Sequence, residues 1–163
     1  MSNLMPDMLA ERIQDIDLQL LWSLGIRGLV FDLDNTITPW HQYAPNDDII
    51  SWFEMVRQAG FKVCILSNSG AEKVAKITKW LDVPVLANSK KPRRSGFWRA
   101  CKLLELDPPQ LAMVGDQIFT DVFGGNRAGL LTILTEKIAE EEFWGTKNIS
   151  RRMERVVKRR WQS

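Results

Sequence analysis

Apolar and polar positions along this chain follow two alternating rhythms. Short apolar runs at 28–31, 61–66, 84–87, 111–114 and 131–134 read as buried strands. Between them apolar residues recur at helical spacing: Ile49, Phe53 and Val56, then Val74, Ile77 and Leu81, then Phe97, Cys101 and Leu104. Asn46, Asp47 and Asp48 open the first of these helices, and Gly60 stands just past its end. A further short helix is predicted through Val122 and Phe123 towards Arg127. Ahead of the first strand, Asp17 is expected to cap a helix carrying Leu20, Leu21 and Leu24, closed by Gly25. Met5, Met8 and Leu9 are expected to lie flat on something apolar. Strands alternating with helices predict an α/β fold, a parallel sheet covered on both faces. Right-handed crossovers then bring every strand end to one side of the sheet.

Polar residues cluster after those strands. Asp32 and Asp34 follow the first, Ser67 and Asn68 the second, Lys91 the third, and Asp116 and Asp121 the fourth. Strand ends are where open α/β sheets bind ligands, so these groups can share one crevice. Asp32 and Asp34 fall on one face of an extended strand, and close carboxylates repel unless a cation or shared proton relieves them. Carboxylates without His or Cys partners suit a hard cation, Mg²⁺ above all. A lysine and a serine facing that cation suit a phosphoryl group. The chain has no GxxxxGK[ST] segment, so a P-loop nucleotide site is not supported. Phosphoryl transfer with an aspartate nucleophile is the reaction implied.

Asp32-Leu33-Asp34-Asn35-Thr36, Ser67, Lys91 and Gly115-Asp116 with Asp121 resemble the four motifs of haloacid-dehalogenase-superfamily phosphatases, in that family's order and spacing. Phe-Asp-Leu-Asp-Asn-Thr, Leu-Ser-Asn-Ser, Lys-Lys-Pro and Gly-Asp-Gln-Ile-Phe-Thr-Asp resemble more closely its YqeG-like subgroup, subfamily IIIA, related to the mitochondrial phosphatidylglycerophosphate phosphatases. The resemblance implies a doubly wound, three-layer sheet of about five strands, ordered 5-4-1-2-3. It implies that Asp32 attacks phosphorus and that Asp34 protonates the leaving alcohol and then activates water. Ser67, with Asn68 beside it, and Lys91 would bind the phosphate. Asp116 would bind Mg²⁺ with Asp32 and the backbone carbonyl of Asp34, and Asp121 would orient that metal shell or join it through water. Thr36 would support the loop by hydrogen bonding. Lys90 neighbours Lys91, and the Lys-Pro pairing of the family favours Lys91. Asp34 to Ser67 spans 33 positions and Ser67 to Lys91 spans 24, too few in either gap for an inserted cap domain. An open site is therefore expected, suited to a phosphate presented on something large or on a surface.

Composition narrows the setting. The 163 residues are 45% hydrophobic and 26% charged, as in a globular domain, and no apolar stretch is long enough to span a bilayer. One domain is expected over 1–163, with 1–24 as an N-terminal extension and 147–163 as a basic tail. Cys64 and Cys101 read as buried free thiols, which with no secretory signal suggests the cytoplasm. The net charge of +2 hides an asymmetry: residues 147–160 hold seven basic side chains against Glu154, a net +6, leaving −4 for the rest. Ile149, Met153, Val156, Val157 and Trp161 share a helical face in that tail. Peripheral contact with an anionic membrane, packing on the domain, and nucleic-acid binding all remain open for it, nucleic acid being the least favoured because no aromatic stacking platform accompanies the charge. His41 reads as a surface histidine, and Trp40 and Tyr43 as a substrate wall or loop packing. The expected partner is a phosphorylated substrate, an anionic phospholipid among the candidates. Small soluble sugar or nucleotide phosphates form a second reading, and a non-catalytic phosphate- or RNA-binding module a third. The intact Asp34 weighs against the third.

Overall fold

A computed structural model describes residues 2–38 and 44–136. The expected tail helix, with Ile149, Met153, Val156, Val157 and Trp161, and the loop residues Trp40, His41 and Tyr43 lie outside the described residues. Six strands form one parallel sheet: β1 Met8–Ala10, β2 Gly28–Phe31, β3 Lys62–Leu66, β4 Val85–Leu86, β5 Leu111–Gly115 and β6 Leu131–Thr135. Their order is β1-β6-β5-β2-β3-β4. Helices α1 Leu18–Ser23, α2 Asp47–Gln58, α3 Ala71–Thr78, α4 Arg94–Leu104 and α5 Gly124–Ala128 connect them. The five expected strands keep their expected order, and the sixth corrects the strand count. Residues 8–10 are not only laid against the domain; they pair with β6 as an edge strand.

Local chemistry explains that edge. The Asp7 N–H donates to the Thr132 carbonyl at 3.0 Å, and Asp7 Oδ2 accepts the Thr132 N–H at 2.9 Å. Asn126 Nδ2 donates to the carbonyls of Met5 and Asn3 at 2.8 and 3.0 Å, tying the incoming chain to α5. Met8 and Ala10 then pack against the core. Further on, Asp17 Oδ1 accepts the Leu20 N–H at 3.0 Å and caps α1, as its position predicts.

Both faces of the sheet are covered, and the period-two pattern sorts side chains between them. Leu29, Phe31, Val63, Ile65, Ala112 and Val114 point to the side of α2 and α3, meeting Phe53, Val56, Val74 and Ile77. Val30, Cys64, Leu66, Leu111 and Met113 point to the other side, where α4 brings Phe97, Ala100 and Leu104. Phe31 lies 4.8 Å from Phe53 and 5.8 Å from Trp52 between ring centroids, so the strand that carries the first motif is anchored in an aromatic cluster. Burial pushes the Cys64 thiol up to about 12, leaving it an inert core residue. Cys101 is only half-buried.

Register decides what the sheet can do. Phe31 is level with both Ile65 and Val114, so β2, β3 and β5 end side by side. The Asp32 N–H extends the ladder one step, donating to the Val114 carbonyl at 2.9 Å. Between β2 and β3, and between β3 and β4, the described residues hold a single helix each, with no inserted cap.

Candidate active site

The turn after β2 sets the first two carboxylates. Asn35 adopts a left-handed conformation, φ 58°, which asparagine tolerates better than most residues. Its N–H reaches the Thr38 carbonyl at 2.7 Å, and the Ile37 N–H reaches that of Leu33 at 3.0 Å. Leu33 and Ile37 are buried beneath, which leaves Asp32 and Asp34 on the opposite side of this tight loop.

Lys91 is the hub. Its Nζ lies 2.8 Å from Asp32 Oδ1 and 2.7 Å from Asp121 Oδ1, with almost the whole side chain buried. Lys90 is exposed, so of the adjacent lysines it is Lys91 that enters the crevice. Asp32, Asp116 and Asp121 each bring a carboxylate oxygen within 4.8 Å of the others. One lysine against three buried carboxylates leaves an excess of two negative charges. Burial, then repulsion from Asp32 and Asp121, pushes the Asp116 carboxyl up to about 7. Burial also raises Asp121, to about 6, against the opposing pull of Lys91. Burial works against the charge on Lys91 itself, but Asp121 and Asp32 outweigh it and hold its pKa above the ordinary value. Thr36 Oγ1 gives Asp116 Oδ1 a long contact at 3.4 Å, while Asp116 Oδ2 is buried without a hydrogen-bond partner.

Asp121 reaches this cluster because the segment after β5 makes a wide π-helical turn, residues Ile118–Phe123, that folds back under the strand end. The Gln117 N–H donates to Asp121 Oδ2 at 3.2 Å. A Cβ on Gly115 would overlap the Asp121 carboxylate, so glycine is needed for that close approach. Gly115→Ala is expected to lower stability by about 1–3 kcal/mol through overpacking, read by chemical denaturation. An unchanged midpoint would show that the turn gives way without strain.

The polar residues after β3 engage the neighbouring loop. Ser67 is fully buried, and its Oγ accepts the Ser69 N–H at 3.0 Å. Asn68 does not turn its side chain to a phosphate: Oδ1 accepts from Lys91 N at 2.7 Å and Ser89 Oγ at 2.8 Å, and Nδ2 donates to the Lys91 carbonyl at 3.1 Å. Asn68 is thus a clamp on the 89–91 loop that positions Lys91, a contact the sequence reading did not foresee beside the phosphate-binding role expected of it. The Asp34 carboxylate also stands apart from the other three. It takes Ser69 Oγ at 2.9 Å and Lys73 Nζ at 2.7 Å, so any metal contact from Asp34 falls to its backbone. Ser69 and Lys73 escaped the sequence reading. The usable signal was position alone: both lie within six residues of Ser67, at the mouth of the same strand end.

The family model described as mitochondrial PGP phosphatase matches residues 1–139. The chain belongs to that family. A Bacillus subtilis protein named "Probable phosphatase YqeG" is 33% identical over 153 residues, covering 94% of this chain and 88% of its own length. Phosphatidylglycerophosphate phosphatase 1 of Arabidopsis thaliana, chloroplastic/mitochondrial, is 28% identical over 96% of this chain, which spans 48% of that protein. An uncharacterized protein of Listeria monocytogenes serotype 4b shares the fold, with TM-score 0.57 and 20% identity over 82% of this chain and 99% of that one. A HAD phosphatase of Thermococcus onnurineus shares the fold, with TM-score 0.51 and 23% identity over 61% of this chain. By its family the chain is a phosphatase, a hydrolase of phosphate esters.

Proposed function

We propose that the chain is a Mg²⁺-dependent phosphomonoesterase that works through an aspartyl-phosphate on Asp32. The observation that carries this reading is Lys91 Nζ bridging Asp32 and Asp121 beside the unpartnered oxygen of Asp116. Asp32 Oδ attacks phosphorus while the bond to the leaving alcohol breaks, and Asp34 supplies the proton that the alcohol oxygen needs. Asp34 then takes a proton from water as that water attacks the phosphoryl group. The Asp32–phosphorus bond breaks, and inorganic phosphate leaves with the carboxylate restored. Lys91 holds Asp32 and the phosphoryl oxygens throughout, and the Ser67 end of β3 borders the same space.

An all-oxygen donor set, an excess of two negative charges and a buried unpaired carboxylate oxygen fit a hard divalent cation. Asp32, Asp116 and Asp121, with the Asp34 carbonyl, would hold it. The candidate ligand oxygens of the three carboxylates lie within 4.8 Å of one another. Bound there, Mg²⁺ supplies positive charge to the phosphoryl oxygens.

A pH test follows from the raised carboxyls. Asp116 and Asp121 hold protons more tightly in the fold than their ordinary 3.8. Their contribution to metal-free stability is fully present below about pH 4 and is lost as pH rises through about 6 to 7. Mg²⁺ must displace those protons, so it is expected to bind more weakly at pH 5.5 than at pH 8. The thermal shift on adding Mg²⁺ should be larger at pH 8, and a larger shift at pH 5.5 would overturn the assignment.

Phosphatidylglycerophosphate, or another phosphate presented on a surface, is the substrate class proposed. That the described residues hold no inserted cap supports this, as does Phe119, 62% exposed in the turn that carries Asp121, with Ile118 next to it. Para-nitrophenyl phosphate with and without Mg²⁺ tests the chemistry. A panel pairing lipid phosphates with sugar and nucleotide phosphates tests the class, and stronger turnover of the soluble members would favour the small-substrate reading.

A further inference from the structure

Ser69 bridges the end of β3 and the carboxylate of Asp34. Its Oγ donates to Asp34 Oδ2 at 2.9 Å, and its own N–H donates to Ser67 Oγ at 3.0 Å. The Ser69 carbonyl accepts the Asn88 N–H at 2.9 Å. Both backbone groups of Ser69 are therefore tied down, one to the end of β3 and the other to the loop after β4. A hydroxyl carried on backbone pinned in this way is a fixed donor. The other oxygen of Asp34 takes Lys73 Nζ at 2.7 Å.

Orientation matters for this carboxylate because it serves two steps. Asp34 hands a proton to the leaving oxygen and then takes one from water, so it must stay in place between them. The last torsion of an aspartate is broad, and the carboxylate plane needs an outside contact to fix it. Lys73 approaches on a flexible four-carbon stem, which follows the carboxylate as readily as it steers it. Ser69 has a single short rotor on fixed backbone, so it is the contact that sets the plane. An accepting carboxylate oxygen keeps a second lone pair, which leaves room for the proton that is exchanged. Misplacing a reacting group by about 1 Å costs on the order of 10²-fold in rate.

Resting on the phosphatase reading above, we propose that Ser69 is the positioning residue of the general acid. Its hydroxyl holds Asp34 in the orientation that protonates the leaving alcohol, and it acts through Asp34 alone. Comparing leaving groups tests this in the full chain with Mg²⁺. Para-nitrophenolate departs without a proton, whereas the alcohol of glycerol 3-phosphate needs one, and kcat/KM covers the steps up to release of that alcohol. Ser69→Ala should lower kcat/KM for glycerol 3-phosphate by about 10-fold or more, and for para-nitrophenyl phosphate by less than about threefold. Ser69→Thr, which keeps a hydroxyl, should restore most of the loss. Asp34→Asn should show the same selectivity with a larger loss, about 10²–10⁴-fold. Adding Ser69→Ala to it should cost nothing further, because residues that act as one unit are not additive. Equal losses on both substrates, or a further loss in the double variant, would overturn the assignment and leave Ser69 as a prop for the loop after β3. Absence of a selective loss in Asp34→Asn would overturn Asp34 as the acid, and the role of Ser69 with it. Inertness of the parent protein towards both substrates would instead overturn the phosphatase reading itself.

Discussion

Asp32→Asn is expected to lower Mg²⁺-dependent hydrolysis of para-nitrophenyl phosphate by at least about 10³-fold, the scale seen when a nucleophile is removed from a working site. The amide is isosteric, and its oxygen can still accept from Lys91 Nζ, now at 2.8 Å from the carboxylate. Phe31 and Leu33 on either side stay buried, so nothing in the packing changes. The substitution also removes one of three mutually repelling carboxylates. The metal-free variant should therefore melt no lower than its parent. Circular dichroism and a phosphate-release assay check both halves, and turnover within about tenfold of the parent would exclude Asp32 as the attacking group.

Lys91→Met should have the largest effect on stability. Taking away the buried ammonium leaves Asp32 and Asp121 facing one another and Asp116 without a counter-charge. Breaking a buried pair by removing one partner costs about 3–5 kcal/mol, because the remaining charge stays desolvated. Chemical denaturation in a chelator at pH 8 reads that cost. Asp116 and Asp121 can shed their charges by taking protons near pH 7 and 6, so the loss should shrink at pH 5. Mg²⁺ should recover part of it by replacing the missing positive charge. Equal stability of variant and parent at pH 8 in the chelator would mean that the carboxylates are far better solvated than their burial indicates.

How much of this was readable beforehand follows from what each residue depends on. Asp32, Lys91, Asp116 and Asp121 were legible as one group because each follows a strand, and a parallel sheet levels its strand ends. Choosing Lys91 over Lys90 rested on family pattern, since alternation alone permits either. The fold separates them through a left-handed turn at Lys90, φ 56°, that sends the next side chain inward. The clamp that Asn68 makes was not readable, because an amide serves a phosphate or a loop equally well and the passage of residues 89–91 beside it is a tertiary fact. Lys73 carried no signal beyond its position, since nothing in the pattern of α3 says that its first turn faces Asp34. Strand β1 has three residues and polar neighbours, too short for a period to declare itself, and its pairing with β6 bridges over 120 positions. Strand β4 shrank from the expected four residues to two, Val85 and Leu86.

The edge strand has a consequence for solubility. Without residues 7–10, the outer margin of β6 would present unpaired amides and carbonyls along Leu131–Thr135, a template onto which a neighbouring molecule could add its own backbone. On the far margin β4 offers a mere two residues. Among the described residues, a hydrophobic parallel sheet is thus fenced at both borders by very short segments, one of them held by the carboxylate of Asp7.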